Sequence, residues 1–154
     1  MALTAVRAAI RAAVARVEDP ELSGVSIGDL GMVHDVVVDD AGGVRVELVP
    51  THAGCPALEL IAADVRRAAA HAAGGTPVEV AWRRDLAWSP AAVSATAITR
   101  LATELTVTLR GADGSLRCPA CGSADVDDRA TVGPTRCRSV AWCRTCRNVV
   151  EVLR

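Results

Sequence analysis

Six cysteines bound the chemistry open to this chain, and they fall into three groups. Cys118-Pro119-Ala120-Cys121 and Cys143-Arg144-Thr145-Cys146 are two Cys-x-x-Cys hooks with 21 residues between them. Each hook turns two sulfurs toward one point, and two hooks complete a tetrahedron of thiolates. Structural zinc is the first reading of that spacing. A single iron in a rubredoxin-like centre competes, because tetrahedral sulfur suits both metals. Gly122 follows the first hook, as such a centre allows, whereas Arg147 follows the second. With four protein ligands the site is closed and cannot activate water, so a structural and partner-facing role is expected of it.

Cys137 lies between the hooks and alternates with Ser139 and Ala141. A free cysteine there reads first as a small buried apolar residue. It is also a candidate second thiol for handling a metal cluster, or a substitute for one of the four ligands.

Cys55 stands alone in the first two thirds of the chain, in Thr51-His52-Ala53-Gly54-Cys55-Pro56. Pro56 suits the first position of a helix, which places Cys55 at or beside the N-cap. Unpaired N–H groups and the helix dipole there favour a thiolate, so a depressed pKa is expected. Cys55 is therefore a candidate nucleophile or metal ligand. His52 offers a Cys–His pair, although a solvated loop histidine is the simpler reading. Asp19 and Glu21 flank Pro20, and Asp29 sits in a Gly-rich turn; each reads first as a turn or capping residue.

The elements that must position these groups follow from periodicity. Leu3, Val6, Ile10, Val14 and Val17 fall on one helical face, and Asp19-Pro20 ends that helix. Met32 to Asp39 and Val44 to Leu48 read as strands joined at Asp40-Ala41-Gly42-Gly43. Residues 56–73 are helical, with Leu58, Ile61, Val65, Ala68 and Ala72 on one face, and Gly74-Gly75 stop them. Val78 to Trp82 predicts a third strand. Ser94 can cap a short helix containing Ala97, Ile98, Leu101 and Leu105, and Thr106 to Arg110 reads as strand. The order predicts an α+β fold: a small three-stranded sheet covered by helices, over residues 1–110. Gly111 to Ser115 reads as a linker, and 116–154 as a zinc ribbon with strands at 126–132, 135–142 and 148–153. So short a unit needs a metal to fold.

Composition narrows the function classes. The chain has 154 residues, 51% of them apolar, with three Trp and no Phe or Tyr. No apolar run is long enough to span a bilayer. Arg7 and Arg11 interrupt the N-terminal apolar stretch too early for a secretory segment, so a reducing cytoplasm is expected. Residues 116–154 carry seven Arg against four acids. Four thiolates around a divalent ion add two negative charges, and the nearly cancelled surplus argues against nucleic acid.

Three segments together carry a resemblance. They are Glu18-Asp19-Pro20-Glu21 with Ile27-Gly28-Asp29-Leu30-Gly31-Met32-Val33, then Thr51-His52-Ala53-Gly54-Cys55-Pro56-Ala57, and the Cys-rich tail with Gly133-Pro134-Thr135-Arg136-Cys137. The chain resembles the PaaD-type phenylacetate-degradation proteins, which join a SufT-like iron–sulfur cluster assembly domain to a C-terminal zinc ribbon. The resemblance implies that Cys55 is the reactive residue, with Asp19 and Glu21 as its acidic neighbours. It implies a non-enzymatic role in maturing the multicomponent phenylacetyl-CoA epoxidase or other iron–sulfur clients, with iron or a cluster held transiently. It also implies association into homo-oligomers. Two rivals stand beside it: a structural or interaction subunit of the oxygenase without cluster handling, and a nucleic-acid-binding ribbon.

Overall fold

The computed structural model describes residues 2–154, ordered as two small sheets with three α-helices. Helix α1 (Ala2–Ala15) buries Ile10 and Val14 completely, while Leu3 and Val6 of the same expected face stay largely exposed. Its polar side is tied down by Arg7, which donates to Asp35 at 2.6 Å, and by Arg11, which donates to the carbonyls of Val33 and His34. Strands β1 (Val33–Val38) and β2 (Val44–Leu48) form the expected antiparallel hairpin. In β2, Val44, Val46 and Leu48 point into the core while Arg45 and Glu47 point out, as the period of two requires. Helix α2 (Leu58–Ala72) then crosses over and returns the chain to β3 (Val78–Trp82), which pairs parallel with β2.

Helix α2 begins later than its sequence suggests. Ala57 is the N-cap, so Pro56 lies in the preceding turn rather than in the helix. Its buried stripe is Leu58, Ile61, Ala62, Val65 and Ala69, one position off the expected Ala68 and Ala72 at the C-terminal end.

The segment 26–31 anchors the far side of this unit. Asp29 accepts hydrogen bonds from Ser26 at 2.9 Å and from Ser94 at 2.7 Å, and the Trp88 indole donates to the carbonyl of Leu30 at 2.6 Å. Ser94 in turn caps α3 (Ala95–Glu104) by accepting from the N–H of Ala97. Gly31 has φ +71°, and a Cβ there would stand 2.8 Å from the carbonyl oxygen of Ala92. Left-handed backbone costs a side chain about 1–2 kcal/mol, and overpacking adds about 1–3. Gly31→Ala should therefore lower stability by about 3 kcal/mol and the melting temperature by about 10 °C in a thermal melt. An unchanged melt would mean that the 88–94 segment is not held against this turn.

The second sheet has the order β4-β7-β6-β5. Strands β5 (Val126–Ala130), β6 (Arg138–Cys143) and β7 (Val149–Leu153) form an antiparallel meander. Strand β4 (Val107–Leu109) pairs parallel with β7. The expected division at 111–115 assigns β4 to the first unit, yet its backbone hydrogen bonds lie in the ribbon's sheet, where it covers an edge otherwise left unpaired. Residues 111–115, the expected linker, form a closed turn. The Gly111 N–H donates to the Ser115 carbonyl, and Asp113 accepts from both the N–H and the hydroxyl of Ser115.

Two hydrophobic cores result. The ribbon's own core is small: Leu116, Cys118, Ala141, Cys143, Val150 and Val152. The larger core fills the first unit and also takes in Cys137 and Leu153 from the ribbon. The ribbon is thus seated on the first unit. No helix among the described residues is long and apolar enough to cross a membrane.

Candidate metal and thiol sites

The two hooks meet as their spacing demands. Sγ of Cys118 lies 3.6 Å from Cys146, and Sγ of Cys121 lies 3.6 Å from Cys143. A tetrahedron of Zn–S bonds of about 2.3 Å has edges of about 3.8 Å, so the four sulfurs already stand at ligand separation. Both hooks also aim backbone N–H groups at sulfur. Those of Cys121 and Ala120 face Cys118, and those of Cys146 and Thr145 face Cys143. The N–H of Cys146, helped by the neighbouring thiols and Thr145, holds the Cys143 thiol down to about 7.

The missing glycine of the second hook is resolved by conformation. Arg147 adopts φ +62°, the left-handed backbone that Gly122 adopts at +75° after the first hook. Its N–H returns to the carbonyl of Cys143 at 2.9 Å, as that of Gly122 returns to Cys118 at 2.8 Å. The two hooks are the same turn built with and without glycine, and the arginine bears a strain of about 1–2 kcal/mol.

A second cluster lies at the seam between the units. Glu21, Cys55 and Cys137 place ligand-type atoms within 4.8 Å of one another. Both thiols approach the same carboxylate oxygen, Oε2 of Glu21: Cys55 at 3.7 Å and Cys137 at 3.2 Å. Cys137 keeps the buried face of Ser139 and Ala141 but precedes β6, in the turn that follows Gly133-Pro134. The hydroxyl of Thr135 lies 3.0 Å from its sulfur.

Asp19 and Glu21, a pair in the sequence, do different work. The carboxylate of Asp19 is buried and accepts from the N–H of Glu21 at 2.8 Å, which shapes the 19–22 turn. Burial raises its pKa, with the Glu21 carboxylate adding to the effect and Arg138 opposing it. Only Glu21 reaches the thiols. His52 is bound up locally: its Nδ1 accepts from the N–H of Gly54 at 3.2 Å.

The depressed pKa expected for Cys55 is corrected. Burial pushes the thiol up, and the nearby carboxylates of Glu21 and Asp19 push it further, outweighing the N–H of Ala57. The physical reasons are burial first and then the carboxylates, and the late helix start leaves little to oppose them. With α2 beginning at Leu58, Cys55 stands two residues before the N-cap, where the helix field is weak. Cys137 is pushed up to about 12, by burial first and then by Glu21 and Cys55.

Arg138 makes a contact across the seam that periodicity could not reveal. Its guanidinium donates to the carbonyl oxygen of Glu21 at 2.7 Å and pairs with Glu151 at 2.6 Å. It bolts the ribbon to the turn that carries Glu21. The only signal in the sequence is its place next to Cys137.

An α+β unit with an acidic turn facing Cys55, followed by a four-cysteine ribbon, defines a two-part protein with a metal-binding type of cysteine cluster. The chain belongs to the iron–sulfur cluster assembly protein family, in the form that carries a PaaD zinc β-ribbon; the first matches residues 7–82 and the second 102–154. It is 32% identical over 152 residues to an Escherichia coli (strain K12) protein provisionally named as a component of 1,2-phenylacetyl-CoA epoxidase, covering 94% of this chain and 90% of that one. It is 36% identical over 86 residues to the Fe-S protein maturation auxiliary factor YitW of Bacillus subtilis (strain 168), covering 56% of this chain and 79% of that one. A crystal structure of a domain of unknown function, DUF59, from Bacillus anthracis superposes with a TM-score of 0.62 at 30% identity, covering 68% of this chain and 98% of that one.

Proposed function

We propose that this protein is a non-enzymatic accessory factor in iron–sulfur cluster assembly, serving the multicomponent phenylacetyl-CoA epoxidase as its client. Cys55 is the residue that engages iron, a cluster or a client thiol. Glu21 is the carboxylate beside it, and Asp19 holds the turn that presents Glu21. The observation that carries this reading is the approach of the Cys55 thiol to Glu21 across 34 residues of sequence. Such a pair needs the turn at 19–22 and the loop before α2 to be built against each other. The four-thiolate site holds zinc, folds the ribbon and seats it. It has no open position and takes no part in transfer.

The role of this chain is to hold cargo and give it up. A neutral, buried thiol beside a carboxylate is a poor free nucleophile. It becomes a ligand when a cation arrives, because the cation replaces the proton. Cys55→Ser keeps the volume and removes the thiolate. In cells producing the epoxidase with that variant, client iron content and activity are expected to fall at least tenfold, with the melting temperature of the variant nearly unchanged. Normal client iron would sink the assembly role.

The name of the Escherichia coli relative, as an epoxidase component, supports a second reading: an interaction partner built into the oxygenase. It predicts co-purification with the epoxidase and little effect of Cys55→Ser.

A further inference from the structure

Outside the ribbon's tetrahedron, the Glu21, Cys55 and Cys137 group combines two sulfurs with a carboxylate. Its members come from three separate parts of the fold: the 19–22 turn, the loop before α2, and the turn before β6 in the ribbon. A cysteine buried for packing alone has no reason to face a second cysteine and a carboxylate oxygen together. The distances fit a coordination sphere. With metal–sulfur bonds of about 2.3 Å and metal–oxygen bonds of about 2.1 Å, tetrahedral angles set sulfur and oxygen about 3.6 Å apart. Cys55 and Cys137 stand 3.7 Å and 3.2 Å from Oε2 of Glu21.

We propose that Glu21, Cys55 and Cys137 form a three-ligand site for one thiophilic divalent transition-metal ion of the Fe²⁺ or Zn²⁺ class. The ion sits at the seam between the two units and keeps a fourth position open. Two thiolates exclude hard cations such as Mg²⁺ and Ca²⁺, and the carboxylate suits a borderline ion better than Cu⁺. Three protein ligands plus an exchangeable one make the open counterpart of the closed ribbon site. The Thr135 hydroxyl is placed to donate to the Cys137 sulfur and steady it, as groups around bound metals do. The site also gives the ribbon a purpose beyond its own folding. It carries Cys137 to Cys55, and Arg138 fixes the approach through the Glu21 carbonyl. As a place for cargo the site rests on the assembly reading; as a metal site it stands on the geometry alone.

The test is a titration of the reduced, full-length protein, its ribbon filled with one zinc, with Co²⁺ under anaerobic conditions. Cobalt uptake, retained zinc and the optical spectrum are read on the same samples. One Co²⁺ per chain should bind beyond the retained zinc, with thiolate-to-cobalt charge-transfer bands and intense tetrahedral d–d bands. Cys55→Ser and Cys137→Ser should each keep the zinc and lose the bound cobalt. Glu21→Gln, which leaves both thiols in place, should weaken cobalt at least tenfold while keeping the charge-transfer bands. Absence of a second equivalent in the wild type, or tetrahedral bands that survive in Cys137→Ser, overturns the site. Failure here leaves the client assay on Cys55→Ser standing. Conversely, normal client iron in that assay would remove the assembly role and leave this binding result untouched.

Discussion

Cys143→Ser yields a chain that retains no zinc and loses the order of residues 116–154. The expectation follows from scale. A structural zinc contributes about 10–16 kcal/mol to folding in small peptides, whereas a whole domain is stable by about 5–15 kcal/mol. The ribbon's own apolar core is six residues, two of them the hook cysteines Cys118 and Cys143. Nothing else in it offsets the conformational entropy of some forty residues. The loss should spread beyond the hooks. Among the described residues strand β4 pairs only with β7, and Cys137 and Leu153 leave the larger core when the ribbon unfolds. Hydrogen exchange should thus show protection lost at 138–153 and at 107–109, with α2 still protected. Protected amides in β6 and β7 of a zinc-free variant would mean that packing, not metal, holds the ribbon. A strong chelator should reproduce the pattern in the wild type.

Cys137 should alkylate about a thousandfold more slowly than an ordinary protein thiol at pH 8 in protein holding only its ribbon zinc. The thiolate is the reactive species, and each unit of pKa above the usual value lowers its fraction tenfold. Burial and the Glu21 carboxylate hold this thiol near 12 against an ordinary value of 9. Cys55 should also react slowly, since its shift has the same sign. The consequence for stability has a definite direction. In the unfolded chain these thiols ionise near 9, while in the folded chain they stay protonated to higher pH. The folded state is therefore favoured fully below about pH 9 and loses that advantage as pH rises through the folded-state pKa, about 12 for Cys137. Iodoacetamide rates mapped by peptide mass spectrometry from about pH 7 to about pH 11 check the first point. A Cys137 profile with a midpoint below about 9 would show that the seam opens to solvent. Glu21→Gln should lower the midpoint, because it removes the charge that opposes ionisation.

Much of the architecture was legible from local pattern. The alternation of Val44, Val46 and Leu48, the helical stripe through Leu58, Ile61 and Val65, and the Ser94 cap all appear where their spacing places them. These are short-range regularities, decided by side-chain period and by capping groups a few residues away. The boundaries that moved did so for long-range reasons. Thr106 to Arg110 reads as a strand, but nothing in its sequence says that its partner is β7, some forty residues on. The start of α2 shifted from Pro56 to Leu58, and with it went the field expected to favour a thiolate at Cys55.

The two thiol sites divide along the same line. The meeting of the four hook cysteines was readable because a Cys-x-x-Cys turn is a local device. Each hook carries its own geometry, even where Arg147 must adopt the backbone of a glycine. Cys137 offered no such device, and by alternation alone it was a buried strand residue. Its meeting with Cys55, through a carboxylate 116 residues away from it in the chain, depends on how the ribbon is seated on the first unit. That seating rests on Leu153 in the larger core, on β4 joining the ribbon's sheet and on Arg138 gripping the Glu21 carbonyl. The family, the ribbon and the lone cysteine of the first unit were all written in residue order and spacing. Cys137 was already a candidate second thiol on the sequence; that it meets Cys55 at the Glu21 carboxylate emerged only from the packed fold. Spacing along a chain governs which atoms meet within a turn, and packing governs which meet across a seam.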